Sequence, residues 1–535
     1  MKRMFAASTI VVVVAIVTAF SPASGLASRG VPTSLVNAIH ARLGAGAVRM
    51  SSAQNTAPPE AFFGYQVSLS ADGTTALVGA PAVGDGTGAA YIFHVSSAGS
   101  WVSSSTPAAT LTDGKGIWGD SFGEGVALSA DGTTAFVGAP YSHYSGVIFV
   151  FRVPSENAWA SSSTPTATLS VGHGIFVGGS LALSPDGTTL VVGAPLYDFF
   201  AGGAYVFHVA SESAWVSSSV PAAVLSNVGE SQLDGEIGAS VAISGDGSTA
   251  LLSDGIGGAY VYHVVSAAAW TTLSSPTAIL SNKSLGGSID LGYSLALSGD
   301  GTTAILGAPG VKQFAGAVDV FRASAEDNWV SSNTPTAILT NAAGKSDDLL
   351  GVAVAVSASG TTAVATGYGV GKETGAAYIY HVASEAGWAS SSVPTAILTN
   401  SAGVSQDALG VGVTLSGDGA TALVGAPGFS SFIGAADVFH ASGESSWATS
   451  STPNAILTDA DLLNARCIVP NVKGLYLGQA RSVLRAFGCR TGQVDNAYAK
   501  VKQGRVISEH PKAGTILPLG AKVSLTISLG AWHKP

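Results

Sequence analysis

Basic side chains at a fixed distance from tryptophan are the first candidates for chemistry in this sequence. Seven tryptophans each follow a histidine or an arginine by seven positions. The pairs are His94 and Trp101, Arg152 and Trp159, His208 and Trp215, His263 and Trp270, Arg322 and Trp329, His381 and Trp388, and His440 and Trp447. Histidine ligates metals but arginine does not, and each histidine lies in a different copy of a repeat. We therefore interpret the pairs as structural, with the basic group laid against the indole in a modest cation–π contact and the tryptophan as a packing anchor.

Catalytic residues are harder to find. A hydrolase needs a nucleophile with a base, or carboxylates that converge in a cleft. Serine and most histidines recur at equivalent positions, and within the repeats only His143 and His173 fall outside that register. We expect no catalytic site and no cofactor.

Aromatic residues in the variable segments of the second and third copies form a more distinctive candidate site. The candidates are Trp118, Tyr141, Tyr144, Phe176, Tyr197 and Phe199, with Phe122 and Phe200 beside them. An exposed cluster of this kind could hold a glycan or a protein partner. The alternative is that several of these rings fold inward and cap their own strands, and the sequence leaves both open.

Single carboxylates accompany these segments. Asp120, Asp290, Asp348 and Asp407 each precede the glycine that comes before a strand. We expect each aspartate to close a turn onto backbone amides.

The whole array repeats a unit of about 57 residues seven times. Each copy carries a tight turn, at Asp72-Gly73, Asp131-Gly132, Asp186-Gly187, Asp246-Gly247, Asp300-Gly301, Ser359-Gly360 and Asp418-Gly419. Four strand signals recur in each copy, in the second at 125–129, 133–138, 147–153 and 166–170. Aspartate and glycine tolerate the backbone conformations of a hairpin turn, so the unit is a four-stranded meander.

Variation in the connections predicts where a ligand would bind. The connection after the second strand, and the one from the fourth strand into the next copy, change in sequence between copies. In an up-and-down meander these two connections emerge at the same end, opposite the Asp-Gly turn and the tryptophan loop. Because binding residues gather on variable loops of a rigid scaffold, we expect any site on this variable face.

The termini differ from the array. Residues 1–27, with Lys2 and Arg3 before an apolar run, have the pattern of a cleaved signal peptide, with an uncleaved membrane anchor as the alternative. Residues 28–60 show no repeat and either form a linker or cover one end of the array. We expect a secreted or cell-wall-associated protein without a transmembrane span after cleavage. Residues 466–535 hold 11 basic and two acidic residues, net +9, and the remainder holds 12 and 31, net −19. The acidic array excludes a nucleic-acid partner.

The array resembles the FG-GAP repeats of integrin α-chain propellers. Phe63-Gly64 and Phe122-Gly123 precede first strands, and Gly-Ala-Pro follows second strands at 79–81, 138–140, 193–195, 307–309 and 425–427. The resemblance implies a seven-bladed β-propeller over 61–461. Integrin-type blades often carry several aspartates in a calcium loop, whereas the turn here offers one, so we predict no metal in these hairpins.

The remaining 466–530 resemble a PASTA domain along nearly their whole length. An amphipathic helix with Ala480, Val483, Leu484 and Phe487 on one stripe, and strands near Val506 and Val523, predict a small α+β unit of βαβββ order. The resemblance implies a bacterial surface protein and a peptidoglycan or muropeptide partner. Cys467 and Cys489, the two cysteines of the chain, should pair outside the cytoplasm.

Together these features predict a mainly β protein that is secreted, non-enzymatic and adhesive, with an unknown protein or glycan bound by the propeller. An extracellular hydrolase with a site on the variable face and a structural surface protein without a ligand remain as alternatives.

Overall fold

A computed structural model describes residues 60–530, apart from 117–118, 172–175, 198–200, 228–235, 254–256, 285–289, 465, 470–471, 487–488, 513–514 and 519–520. The predicted signal peptide and nearly all of the predicted linker lie outside the described residues. Among the helices described, none combines the length and apolar character needed to cross a membrane.

Seven antiparallel sheets of four strands, one per repeat, confirm the predicted mainly β propeller. Blades 1 to 4 comprise β1–β4 (Val67–Leu69, Thr75–Ala80, Ala89–His94, Ala109–Leu111), β5–β8 (Val126–Leu128, Thr134–Ala139, Val147–Arg152, Ala167–Ser170), β9–β12 (Leu181–Leu183, Thr189–Gly193, Ala204–His208, Ala223–Leu225) and β13–β16 (Val241–Ile243, Thr249–Ser253, Gly258–His263, Ala278–Ser281). Blades 5 to 7 comprise β17–β20 (Leu295–Leu297, Thr303–Ala308, Ala317–Arg322, Ala337–Leu339), β21–β24 (Val354–Val356, Thr362–Gly367, Ala376–His381, Ala396–Leu398) and β25–β28 (Val413–Leu415, Thr421–Ala426, Ala435–His440, Ala455–Leu457).

Short helices occupy the connections. Four single turns follow second strands, α1 (Val83–Gly86), α2 (Val311–Phe314), α3 (Val370–Glu373) and α4 (Phe429–Phe432). A 3-10 turn follows each third strand, at Ala98–Ser100, Glu156–Ala158, Glu212–Ala214, Ala267–Ala269, Glu326–Asn328, Glu385–Gly387 and Glu444–Ser446, and another lies at Ser142–Tyr144.

The Asp-Gly turn is locked by its own side chains. In blade 2 the Asp131 carboxylate accepts hydrogen bonds from the Ser129 hydroxyl at 2.6 Å and from the Thr133 amide at 3.0 Å. Gly132 has a φ of 67°, a conformation that favours glycine. The sequence therefore determines this hairpin locally.

Hydrophobic packing between neighbouring blades forms the core. Every residue of β6 is buried, and Phe136 from this strand packs edge-on against Trp215 of blade 3 with ring centroids 5.1 Å apart. A fully buried aromatic side chain contributes about 2–3 kcal/mol by the hydrophobic effect, and each seam repeats such contacts.

Direct contact between blades 7 and 1 closes the ring. Every blade takes its four strands from one repeat, so no strand is shared across the closure. Strand β1 contacts both β5 and β25, and Phe63 forms a parallel bridge with Gly434. After blade 7, α5 (Ala460–Asn464) extends beyond residue 461, and Leu462 packs against the core between blades 7 and 1.

The C-terminal part is a separate small sheet unit. It comprises β29 (Arg466–Ile468), α6 (Leu477–Ala486), β30 (Arg490–Ala497), β31 (Val506–His510), β32 (Ile516–Pro518) and β33 (Lys522–Ser528). Strand β33 lies between β30, which is parallel to it, and the antiparallel β31. The predicted βαβββ order is present with one strand added, because the short β32 pairs with β29.

Candidate functional site

The tryptophan loop and the Asp-Gly turn meet on one face of the propeller, which we call the uniform face. All seven indole N–H groups donate to the carbonyl of the turn glycine at 2.7 to 2.9 Å. The seven tryptophans are 4 to 7% exposed. Their predicted role as packing anchors is confirmed.

The basic residues have a different partner from the one expected. Each of the five histidines bonds through Nδ1 to the threonine opposite it on the second strand, at 2.8 to 3.0 Å. Arg322 donates from Nε to Thr303 at 3.3 Å, whereas Arg152 is exposed. For the five histidines and Arg322, the expected cation–π contact with tryptophan is therefore corrected to a cross-strand hydrogen bond. The described cation that stacks on a ring is Arg505, 4.6 Å from the ring of Tyr476.

Glutamates on the uniform face tie neighbouring blades together, a role that was not predicted from the sequence. Glu385 of blade 6 accepts hydrogen bonds from the hydroxyls of Thr302 and Thr303 of blade 5 at 2.9 and 2.8 Å. It also forms an ion pair with Arg322 at 3.2 Å. Equivalent seam glutamates stand three residues before tryptophan in five blades, Glu156, Glu212, Glu326, Glu385 and Glu444. This spacing was the signal that could have found them.

The connections on the opposite side meet between blades and build the predicted variable face. The Ser121 amide, which precedes β5, donates a hydrogen bond of 2.8 Å to the Gly86 carbonyl in the connection after β2. The equivalent bond between blades 5 and 6 joins Phe314 and Leu349, also at 2.8 Å. Loops from two repeats therefore share each segment of this face.

The predicted aromatic residues divide into two groups. Tyr141 and Phe176 come together from blades 2 and 3, with ring centroids 5.1 Å apart in an edge arrangement. Tyr197 packs on Tyr205 and on the core between blades 2 and 3, which is the inward-folded alternative. Trp118, Phe199 and Phe200 lie outside the described residues, as does the side chain of Tyr144.

A further group at the mouth of the central channel was also missed. The first strands of blades 3 to 7 line a cavity of about 230 Å³ on the propeller axis. The residues just before the seven first strands, at the variable-face end of this channel, are Tyr65, Glu124, Gly179, Ala239, Tyr293, Val352 and Val411. The sequence shows that each of these residues follows a Gly. Only the closed ring of seven blades shows that they meet at one opening.

Glu124 is the unusual member of this opening, since it is 8% exposed. Burial raises the pKa of the Glu124 carboxyl to about 8. Burial also raises the pKa of the Tyr141 hydroxyl, with smaller contributions from the charges of Glu124 and Tyr65. The same causes act on Tyr293, where the charges of Tyr65, Tyr368 and Asp290 add to burial. We call Tyr65, Glu124, Tyr141, Phe176 and Tyr293 the channel mouth.

Two of the four loop aspartates have the predicted turn-closing role. Asp348 accepts from the Lys345 amide and Asp407 from the Val404 amide, both at 2.7 Å. Asp120 is buried, and burial raises the pKa of Asp290. Within the described part of the chain, no three His, Cys, Asp or Glu side chains are grouped to hold a metal ion.

Of the two out-of-register histidines, His143 lies within the described residues. His143 bonds through Nδ1 to the Ser142 hydroxyl at 2.9 Å, but the Ser142 side chain is fully buried and cannot reach a substrate. His173 lies outside the described residues.

The C-terminal unit contains the second place where function is expected. Cys489 is 2% exposed and is not a free thiol. The side chain of Cys467 is not among those described, so its pairing with Cys489 stays a prediction. Glu509 is buried, with Lys473 at 3.9 Å.

Comparisons with known proteins agree with both parts of this architecture. The family model of the FG-GAP repeat matches residues 57–93, and that of the PASTA domain matches residues 468–529. No curated protein matches the chain. The chain thus joins a propeller that carries an FG-GAP repeat to a C-terminal PASTA domain, two modules typical of extracellular or surface-exposed proteins.

Proposed function

We propose that this chain is an exported, non-enzymatic binding protein, held at the bacterial wall by its PASTA domain and presenting the variable face of the propeller to a ligand. The observation that carries the proposal is the joint presence of a PASTA domain and an FG-GAP propeller in one chain. PASTA domains bind peptidoglycan or β-lactam-like ligands.

The distribution of charge supports these separate roles for the PASTA domain and the propeller. The C-terminal residues 466–535 carry a net charge of +9, and the rest of the chain carries −19. A basic module approaches an anionic wall favourably, while the acidic propeller is repelled by it. The propeller would then face away from the wall, towards a partner in the medium or on another cell.

Sedimentation with purified peptidoglycan tests the anchoring step. The full chain is compared with a chain that ends at Asn464, because α5 and its Leu462 belong to the packing of the propeller. We expect only the full chain to pellet, and the pelleted fraction to fall between 0.1 and 1 M salt as the Debye length shrinks from about 10 to about 3 Å. If both chains pellet, the propeller itself binds the wall. If neither chain pellets, the proposal that the PASTA domain anchors the protein to the wall is wrong.

A hydrolase with its site on the variable face is the second candidate, and the exposed His143 on a connection of this face is the observation in its favour. Assays with glycan and ester substrates before and after His143→Ala separate the two proposals. Hydrolysis by the full chain that this substitution abolishes would establish the enzyme.

A further inference from the structure

Glu124 is a polar group in a position that needs a partner. Its side chain is more than nine-tenths buried, and burial alone accounts for its raised pKa, since no hydrogen bond from a described residue reaches the carboxyl. A buried polar group without a partner costs free energy. The Glu124 oxygens are not among the polar atoms that are sealed from solvent without a hydrogen bond, so the carboxyl is reached from the opening and a ligand there would replace its water.

The side chains around Glu124 limit the chemistry of that ligand. Tyr141 and Phe176 present rings in an edge arrangement, with Tyr65 and Tyr293 at the same opening. The titratable groups described on the adjoining segments are the phenols of Tyr65, Tyr141, Tyr293 and Tyr368, the carboxyls of Asp120 and Asp290, and the exposed His143. The connection that carries Asp120 also holds the exposed Lys115. No lysine or arginine of the described residues acts on the pKa of Glu124, Tyr141 or Tyr293, so these residues offer an anionic ligand no counter-charge at the opening itself.

We propose that the channel mouth binds a neutral saccharide. The Glu124 carboxyl hydrogen-bonds to a sugar hydroxyl, and the rings of Tyr141 and Phe176 pack on the apolar C–H face of the sugar. Apolar and aromatic walls with a few converging polar groups are the usual composition of a small-molecule site. The inference rests on the proposed function, because the PASTA domain would hold the chain at the wall while this opening on the variable face meets glycans in the medium or on another cell.

The protonation state of Glu124 distinguishes a sugar from a cation. With a pKa of about 8, the carboxyl is protonated at neutral pH and donates its O–H to a sugar without burying a charge. A cationic ligand would instead require the carboxylate and would bind more tightly as the pH rises. The two ligand classes thus predict opposite pH dependences.

Isothermal titration of the full chain with the tetramer of N-acetylglucosamine, from pH 6.5 to 9.5, tests the inference. We expect Kd to increase about tenfold across pH 8 and Glu124→Ala to weaken binding about tenfold at pH 7, as for the loss of one hydrogen bond. Glu124→Gln keeps a neutral donor, so it should bind the tetramer at pH 7 like the wild type and lose the pH dependence. Val330→Ala, which changes a side chain 74% exposed on a loop of the uniform face, is the matched control and should alter nothing.

Three results would overturn the inference. These are no binding of the tetramer by the wild type, binding that Glu124→Ala leaves unchanged, and affinity that rises with pH and is lost in Glu124→Gln. Thermal unfolding of each variant shows whether it is folded. Sedimentation with peptidoglycan depends on the C-terminal domain and not on Glu124, so a failure of the anchor and a failure of the sugar site are distinguishable.

Discussion

Individual residues on the third strands show how similar repeats acquire different electrostatics. The position taken by a tyrosine in β3, β11, β15 and β23 is an aspartate in blades 5 and 7, Asp319 and Asp437. Each accepts a hydrogen bond from an asparagine of the preceding blade, Asn282 at 2.7 Å and Asn400 at 2.8 Å. Burial raises the pKa of Asp319 to about 6 and, with a smaller contribution from the charge of Asp407, that of Asp437 to about 7.

These raised pKa values make the propeller more stable in acid. A carboxyl whose pKa is higher in the folded than in the unfolded protein stabilises the fold below its unfolded value near 3.9, and this stability is lost as the pH rises through the folded value. We expect the free energy of unfolding to fall between about pH 4 and pH 8, with Asp437 responsible for the order of 3 kcal/mol or less. Urea unfolding of Asp437→Asn should show a flatter pH profile over that range. Asp327→Asn, at an exposed side chain, is the control, and an unchanged profile in Asp437→Asn would contradict the assignment.

At the scale of elements, close backbone contact between blades explains why the motif glycines are needed. The glycine of each Gly-Ala-Pro lies at the end of a second strand, directly against the carbonyl of the glycine that opens the next blade. A Cβ at Gly138 would overlap the carbonyl oxygen of Gly178, which itself has a φ of 99°. In blade 6, which lacks the motif, Thr366 occupies this position and its hydroxyl donates to the Gly410 carbonyl at 2.6 Å.

Gly138→Ala should therefore separate blades 2 and 3 at this contact. We expect the free energy of unfolding to fall by about 1–3 kcal/mol, the usual cost of forcing extra atoms into a packed interior. Denaturant unfolding measures the effect, and Gly257→Ala is the control because a Cβ there meets no atom within 4 Å. Equal free energies of unfolding of the two variants would show that blades 2 and 3 can move apart at Gly138 without a measurable loss of stability.

At the scale of the whole molecule, the seam glutamates are distributed unevenly around the ring of blades. Alanine replaces the glutamate at Ala98 and Ala267, so the seams between blades 7 and 1 and between blades 3 and 4 lack this tie. The first of these seams is reinforced by α5, through Leu462 and the hydrogen bond of 2.6 Å from the Ala460 amide to the Ser105 carbonyl of blade 1. The seam between blades 3 and 4 has no such helix in the described chain, which makes it the expected place of local opening.

Ala267→Glu should close this seam by hydrogen-bonding to the Thr188 and Thr189 hydroxyls of blade 3. We expect the free energy of unfolding to rise by about 0.5–1.5 kcal/mol, the net contribution of one hydrogen bond, with slower amide exchange in blades 3 and 4. Ala268→Glu places the same charge one residue away on an exposed position of the same 3-10 turn, and it should be neutral. A lower melting temperature for Ala267→Glu than for Ala268→Glu would refute the role of the seam position.

The sequence by itself determined the repeats, the four strands of each blade, the Asp-Gly turns and the C-terminal domain. These features depend on residues close together in the chain, such as Ser129, Asp131 and Thr133 around one turn. It also indicated that variable loops share one face, because the direction of strands in a meander follows from their order.

Only the tertiary structure decided which residues of different blades meet. Glu385 and Thr303 are 82 residues apart in sequence and 2.8 Å apart in the fold. The interaction of Tyr293 with Tyr65, which come from blades 5 and 1, likewise depends on ring closure. The sequence of one blade does not predict these contacts between blades. The position after the Gly that precedes a first strand is tyrosine, glutamate or valine in different blades, and each of these blades has the same four strands. Burial at the channel mouth, which raises the pKa of Glu124, exists only when seven blades surround one axis.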